Sequence, residues 1–186
     1  MTNWKNKKVA VLGLGVEGLS SVRFLIKRGA KVTVLDRKEE EELISLLRHS
    51  GNQASPEHPQ SATAIRDSGQ ARMTGFEITP MIVGGEGYLK NLDKLDVIVR
   101  SPGVKRNLPE ILEAEKNGVL ITSQTKIFFD LCPCPIIGVT GTKGKGTTAT
   151  LIYEMLKKQG FDAYLGGNIG KPPLDFLDKL NPKSRV

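Results

Sequence analysis

The strongest constraint on the fold is a glycine-spaced turn between a short apolar run and an amphipathic segment. The run Lys8–Leu12 is followed by Gly-Leu-Gly-Val-Glu-Gly at positions 13–18, and apolar residues then recur with helical spacing across Glu17–Arg28. Glycines at these positions allow a tight turn and let the backbone approach a pyrophosphate at the N-terminus of a helix. A strand, a glycine turn and a helix in this order begin a parallel sheet that is covered by helices.

An acidic residue closes the next predicted strand, and its position suits a nucleotide. Lys31–Leu35 is an apolar run that ends at Asp36, which lies 23 residues beyond Gly13. A carboxylate at this point of a strand–helix–strand unit can accept hydrogen bonds from a ribose or a base. The pattern leaves three interpretations open, namely NAD, another nucleotide, or a turn that is purely structural.

Strands and helices continue to alternate up to residue 131. Helices are predicted over Glu39–Arg48, Leu108–Asn117 and Ser123–Leu131, and strands over Asp96–Val99 and Val119–Ile121. Residues 50–75 are instead rich in His, Pro, Ser, Gln and Asn without any period, and order is expected again over Phe76–Val83. An aperiodic stretch of this length is unusual inside a compact domain, so it predicts a mobile surface insertion.

A second glycine-rich loop follows a hinge that is bounded by prolines. Pro133–Pro135 is interpreted as the boundary between domains 1–132 and 133–186. Beyond it, Pro135–Val139 predicts a strand and Lys145–Gln159 a helix. Backbone N–H groups of a loop between such elements cradle phosphates, a lysine adds positive charge, and a hydroxyl can ligate Mg²⁺. The candidate ATP-binding residues are Gly141, Thr142, Lys143, Gly144, Lys145, Gly146, Thr147 and Thr148.

The second loop departs from the standard phosphate-loop spacing at two positions. Val139 stands where the first glycine is expected, and Gly146 separates Lys145 from Thr147. Three glycines and two lysines between a strand and a helix still favour a triphosphate site. The metal ligand is predicted to be Thr147, with Thr148 as the alternative.

Charge and cysteine usage exclude several classes of protein. The 27 Lys and Arg exceed the 20 Asp and Glu by 7, but the basic residues are scattered and are not interleaved with aromatic residues, so nucleic acid is not an expected partner. No apolar stretch approaches the roughly 20 residues of a membrane span. The two cysteines, Cys132 and Cys134, fit neither a disulfide framework nor a zinc site. Reduced thiols and a cytoplasmic location are therefore expected.

Two phosphate-binding loops in succession limit the classes of enzyme to which the chain could belong. A dehydrogenase needs one dinucleotide site and a substrate domain, and it has no use for an ATP loop. An enzyme that activates a carboxylate with ATP and recognises a nucleotide-linked substrate needs both loops. The loops therefore favour an ATP-dependent ligase.

The motifs, taken in order, resemble those of the Mur ligases. They are Gly-Leu-Gly-Val-Glu-Gly at 13–18, Asp36, Ser101–Gly103, the loop Gly138–Lys145, and Gly-Gly-Asn-Ile-Gly at 166–170. The resemblance covers nearly the whole chain apart from residues 50–75. It implies an α/β fold with a Rossmann-like, parallel-sheet N-terminal domain, followed by the start of a P-loop-type ATPase domain.

The resemblance also implies a reaction and a set of site residues. The substrates would be UDP-N-acetylmuramoyl-L-alanine and D-glutamate, joined with ATP and Mg²⁺ through an acyl phosphate in peptidoglycan precursor synthesis. Lys145 and Asn168 would be the catalytic residues, and Thr147 the Mg²⁺ ligand. The residues implied to hold the UDP part are Gly13, Gly15, Val16, Gly18, Asp36, Arg37, Ser101 and Gly103.

Two rival interpretations stay open at this point. Gly146 favours a ligase like the folylpolyglutamate synthases, whereas a Rossmann module that only senses a nucleotide would need the first loop alone. The Mur ligases extend well beyond 186 residues, so this chain alone is expected to be catalytically incomplete. A monomer is the expected oligomeric state.

Overall fold

The computed structural model describes residues 3–51 and 80–186. The chain divides into two compact units, Thr2–Ser123 and Gln124–Val186. The predicted insertion over 50–75 lies outside the described residues from position 52 onward, as do residues 76–79. Within the described ranges, no helix is both long and apolar enough to cross a bilayer.

The described part of the first unit contains a parallel sheet and three helices. The strands are β1 (Lys8–Leu12), β2 (Lys31–Leu35), β3 (Met81–Val83), β4 (Val97–Arg100) and β5 (Leu120–Thr122). Their order across the sheet is β3-β2-β1-β4-β5, and every neighbouring pair is parallel. The helices are α1 (Val16–Lys27), α2 (Glu40–Gly51) and α3 (Pro109–Lys116), with a 3₁₀ turn at Leu92–Lys94. The predicted parallel α/β fold is confirmed for this unit.

Burial explains why the central strands are almost wholly apolar. Four of the five residues of β1 are buried, because helices cover both faces of a parallel sheet. Helix α1 packs with Val22 and Leu25 fully buried. It ends before Gly29, whose φ of +77° is a left-handed conformation that glycine adopts without strain.

The strand order reverses direction at β1. Val9 of β1 pairs with Val32 of β2 on one side and with Val97 of β4 on the other. The chain therefore leaves β1 toward one edge of the sheet and later returns to its opposite side. In open parallel sheets, ligands bind at the carboxyl ends of the strands where the direction reverses in this way.

The second unit contains two helices and a small aromatic core. Helices α4 (Gln124–Leu131) and α5 (Lys145–Lys158) precede 3₁₀ turns at Pro173–Asp175 and Leu177–Lys179. The ring of Phe176 lies 5.8 Å from that of Phe128 and 5.3 Å from that of Tyr164, measured between centroids. Helix α4 belongs to this unit although it precedes the predicted hinge, and the domain limits 1–132 and 133–186 stay a prediction.

The predicted strand Pro135–Val139 was wrong, because the segment does not form a strand. It meets the end of the chain instead: the N–H of Ile137 donates to the carbonyl of Val186 at 2.6 Å, and that of Val186 to the carbonyl of Pro135 at 3.2 Å. Pro135 has no N–H to donate, and Gly138 is exposed. Contact with a single residue does not make a ladder, so the apolar run was misleading.

Candidate functional site

The glycine loop between β1 and α1 is held by side chains that follow the two neighbouring strands. Asp36, directly after β2, accepts the N–H of Leu14 at 2.6 Å, and its other carboxylate oxygen accepts the N–H of Lys38 at 3.2 Å. Ser101, directly after β4, donates its hydroxyl to the carbonyl of Gly13 at 2.7 Å. The loop is therefore fixed at the carboxyl edge of the sheet from both sides.

The three loop glycines meet different steric demands. Gly13 has a φ of +91°, and a Cβ there would lie 3.1 Å from the Ser101 side chain. A Cβ on Gly18 would lie 2.1 Å from the carbonyl oxygen of Gly13, so helix and loop touch backbone to backbone. A Cβ on Gly15 would meet nothing within 4 Å. Gly13 and Gly18 are thus required by the fold, whereas Gly15 borders open space.

The N-terminus of α1 opens onto this space. Gly15 is the N-cap residue, and among the described residues no side chain caps the helix. The unpaired N–H groups of a first helical turn and the positive end of the helix dipole favour an anion. Val16, the first residue of α1, is 70% exposed, and Arg37, directly after Asp36, is also exposed. The geometry therefore suits a phosphate, as the glycine spacing predicts.

A turn after β4 lies against the glycine loop. The N–H of Val104 donates to the carbonyl of Ser101 at 3.1 Å. Gly103 between them is exposed, and a Cβ on it would meet nothing within 4 Å. The guanidinium of Arg100 donates to the carbonyl oxygens of Ser101 and Val104. Arg100 therefore stabilises the turn, leaving Gly103 open toward solvent.

Glu17 is a residue of this region whose burial the sequence does not indicate. It lies in the first turn of α1, and partial burial raises the pKa of its carboxyl above 4.5. One turn later in the helix, the Ser21 hydroxyl donates to the Glu17 carbonyl at 2.8 Å. An acid inside a phosphate-type loop is visible in the sequence, but its burial depends on the fold.

The second loop is compact, with its lysine turned onto its own backbone. Gly141 and Gly144 have φ values of +151° and +75°, and Gly144 is the N-cap of α5. The Nζ of Lys145 donates to the carbonyl of Thr142 at 3.5 Å, a long bond that a phosphate could replace. Thr147 and Thr148 lie in the first turn of α5. Their hydroxyls and the lysine fit the donor set that MgATP requires.

The segment containing Asn168 lies next to this loop. A Cβ on Gly146 would fall 2.0 Å from Cδ1 of Ile169, so the Ile169 side chain fills the space beside the first turn of α5. Asn168 is exposed directly before it. The structure thus brings the two predicted catalytic residues, Lys145 and Asn168, into neighbouring segments of one unit.

The predicted site residues fall into two sets, one in each unit. The first set lies at the carboxyl edge of the sheet: Gly13, Gly15, Val16, Gly18, Asp36, Arg37, Ser101 and Gly103. The second lies on the second loop and the segment beside it: Gly141, Thr142, Lys143, Gly144, Lys145, Gly146, Thr147, Thr148 and Asn168. Across residues 3–51 and 80–186, no cluster of three His, Cys, Asp or Glu could hold a metal. The roles of these residues toward ligands stay predictions.

Comparison with known families identifies the first unit. Residues 7–123 match the family described as Mur ligase MurD-like, N-terminal domain. The chain belongs to this family. The MurD-like domain matches the first compact unit, whose sheet and glycine loop are described above. The resemblance to the Mur ligases that the motifs indicate is confirmed.

Relatives extend the match across nearly the whole chain. A protein of Acetivibrio thermocellus named UDP-N-acetylmuramoylalanine--D-glutamate ligase is 39% identical over 98% of this chain, and one of the same name from Clostridium botulinum is 40% identical over 98%. The chain spans about a third (34%) of the length of these curated relatives. The match to a solved murein peptide ligase from Psychrobacter arcticus covers 97% of this chain and 37% of the ligase chain, at 20% identity and a TM-score of 0.45.

Proposed function

We propose that this chain is part of an ATP-dependent ligase that adds D-glutamate to UDP-N-acetylmuramoyl-L-alanine in the cytoplasm. In this proposal, the MurD-like domain binds the UDP part of the substrate. The second unit supplies the beginning of the ATP-binding domain. The support comes from relatives of that name at about 40% identity over 98% of the chain.

The observation that carries the proposal is the opening beside Gly15. The loop is closed by Asp36 and Ser101 on its inner side, while the N-terminus of α1 and Gly15 border open space. A diphosphate placed there would accept hydrogen bonds from the first turn of α1 and from the turn at Ser101–Gly103. The exposed Arg37 would add a positive charge beside it.

The second loop would bind the triphosphate of ATP. Lys145 would exchange its long bond to Thr142 for the phosphates, and Thr147 would ligate Mg²⁺, which neutralises charge on the phosphate oxygens when bound. Asn168, in the segment beside the loop, would contact the substrate near the reacting carboxylate. An ammonium, a hydroxyl and an amide would thus each serve a different part of the reacting centre.

The proposed reaction has two displacements, the first at the γ-phosphorus of ATP and the second at the acyl carbon of the substrate. The L-alanine carboxylate attacks the γ-phosphorus of ATP, ADP leaves, and an acyl phosphate forms. The neutral amine of D-glutamate then attacks the acyl carbon, phosphate leaves, the nitrogen loses a proton to solvent, and an amide bond forms. Several negative charges meet in the first step, and a lysine with the N-terminus of α5 offsets them.

Calorimetric titration of the folded chain with UDP-N-acetylmuramoyl-L-alanine tests the first half of this proposal, with NAD as the competing ligand. The decisive variant is Gly15→Val, because its side chain would project into the open space without touching the protein. The matched control for UDP-sugar binding is Gly138→Val, since a Cβ there would also meet nothing within 4 Å and Gly138 is not among the residues proposed to hold the UDP part.

We expect the UDP-sugar to bind the wild type and the Gly138→Val control, and to lose at least about tenfold in affinity with Gly15→Val, a steric cost of roughly 1.4 kcal/mol. Binding of NAD alone would instead support a nucleotide-sensing module. Equal affinity of Gly15→Val and the wild type would contradict the proposed location of the ligand.

We expect no D-glutamate-dependent phosphate release from the 186-residue chain by itself. The relatives are about three times as long, and this chain spans 34% of their length. A phosphate-release assay with all three substrates checks this expectation. Turnover that disappears with Lys145→Ala would show that the chain is sufficient for catalysis.

A further inference from the structure

The only two cysteines of the chain face each other at the end of α4. The Sγ atoms of Cys132 and Cys134 are 3.5 Å apart, and the Cys132 thiol also lies 3.4 Å from the carbonyl of Cys134. Cys132 is partly exposed, whereas Cys134 is buried and only 8% accessible. Neither thiol belongs to the loops described above, so their proximity is an independent feature.

The surrounding backbone holds the two sulfurs together. The N–H of Cys132 donates to the carbonyl of Phe128 at 2.8 Å, which ties it to the last turn of α4. Pro133 and Pro135 flank Cys134 and fix φ on both sides of it. Residues two apart span at most about 7 Å, and disulfides join Cα atoms roughly 4.4–6.8 Å apart. A bond between these sulfurs therefore needs only a local adjustment.

We propose that Cys132 and Cys134 form a dithiol site that is oxidised reversibly by small-molecule disulfides. The Cys132 thiolate attacks one sulfur of the external disulfide, whose S–S bond breaks and releases one thiolate. Cys134 then gives up its proton to solvent and attacks the Cys132 sulfur, releasing the second thiolate. Two protein thiols are oxidised to one disulfide, and one external disulfide is reduced to two thiols.

The burial of Cys134 sets the order of these two attacks. Burial, together with the adjacent Cys132 thiol, raises the pKa of Cys134 to about 11. At pH 8 roughly one such thiol in a thousand is ionised, and the thiolate is the reactive form. An external disulfide therefore meets Cys132 first, and Cys134 acts as the resolving thiol at close range.

The spacing favours a reversible use over a structural one. A disulfide stabilises a fold chiefly by closing a long loop of the unfolded chain, and this loop would contain a single residue. The bond would thus add little stability. In a cytoplasmic protein, disulfides are usually transient and serve redox sensing or catalysis. The pair accordingly fits exchange with a thiol–disulfide pool.

Intact-mass analysis of the folded chain after treatment with glutathione disulfide at pH 8 tests the proposal. The variants Cys132→Ser and Cys134→Ser form a matched pair, because each removes one sulfur and leaves the other in place. Acid quenching at timed intervals separates three products, namely reduced protein, protein with one glutathionyl group, and protein that has lost two hydrogen atoms. The same series in urea measures each thiol without the fold.

In the wild type, we expect loss of two hydrogens, with the mixed disulfide below about a tenth of the oxidised product, because a neighbouring thiol competes at a high effective concentration. Cys134→Ser should accumulate the mixed disulfide. Folded Cys132→Ser should react at least about tenfold more slowly than in urea, since Cys134 is buried and largely protonated. Dithiothreitol should restore the wild type completely.

Either of two results would overturn the proposal. One is a wild type that keeps a stable glutathionyl group without closing the ring, which would mean that the sulfurs do not approach. The other is folded Cys132→Ser that reacts as fast as Cys134→Ser, which would mean that Cys134 is not protected. A variant that fails to fold should react at the same rate with and without urea. In that case the wild-type ratio of intramolecular to mixed disulfide tests the proposal.

Discussion

Replacing Gly18 with alanine tests whether the first glycine loop is held as tightly as its contacts imply. Gly18 lies inside α1, where alanine is favoured over glycine by about 1 kcal/mol. The new Cβ would lie 2.1 Å from the carbonyl oxygen of Gly13, which is closer than real Cβ atoms approach any neighbouring atom. The intrinsic preference and the steric demand therefore act in opposite directions.

The steric demand should win by about 2 kcal/mol. Overpacking of a rigid site costs about 1–3 kcal/mol, and a backbone oxygen cannot rotate away as a side chain can. Relief requires the loop to shift, which weakens the bonds from Ser101 to Gly13 and from Leu14 to Asp36, each worth about 1 kcal/mol. A cost of about 3 kcal/mol less the gain of about 1 kcal/mol gives the net loss.

Urea unfolding followed by tryptophan fluorescence measures this loss. Trp4 is the single tryptophan, is 6% exposed and belongs to the first unit, so its emission reports on that unit. With a slope of about 2 kcal/mol per molar urea, the midpoint of Gly18→Ala should fall by about 1 M. In Gly146→Ala, also a first-turn glycine but in the second unit, the Trp4 transition should not move. A midpoint of Gly18→Ala at or above that of the wild type would refute the reasoning.

Three further predictions concern single side chains. Ser101→Ala should lower the stability of the first unit by about 1 kcal/mol through loss of its bond to Gly13, and an unchanged urea midpoint would contradict this. Burial raises the pKa of Glu17 above 4.5. Deprotonation of its carboxyl therefore lowers the stability of the fold as the pH rises from 4.5 through the raised pKa. Glu17→Gln should therefore raise the urea midpoint relative to the wild type at pH 7, and this difference should shrink toward pH 4. A difference that is larger at pH 4 than at pH 7 would contradict the conclusion that the charged form of Glu17 destabilises the fold. Lys145→Ala should weaken ATP binding in calorimetry by at least about tenfold, whereas Lys157→Ala, in the last turn of α5, should not.

The fold of the first unit was largely predictable because its glycines and apolar runs report steric demands directly. The strands at Lys8–Leu12 and Lys31–Leu35 form as predicted, and the glycines at 13 and 18 occupy positions where a Cβ would crowd its neighbours. The role of Asp36 in closing the loop was not predictable. Whether a carboxylate after a strand turns inward or outward depends on the register of the neighbouring strands, which one sequence does not specify.

The second unit was predicted less well for a related reason. An apolar run such as Pro135–Val139 indicates that a strand could form, but a strand also needs a partner along its length. What this run meets is Val186, a single residue far along the chain. The proximity of Cys132 and Cys134 was likewise open, because spacing of two residues fixes the separation of the backbones and leaves the directions of the side chains free.

The fastening of the first glycine loop has a consequence for recombination between related genes. The loop, Asp36 and Ser101 come from three distant parts of the chain, yet they form one bonded unit. A crossover that exchanges residues 13–18 alone introduces a loop without the Asp36 and Ser101 of its own parent sequence. In functional hybrids, the crossover points should therefore lie before β1 or after the turn that follows β4. The segment between these points should come from a single parent.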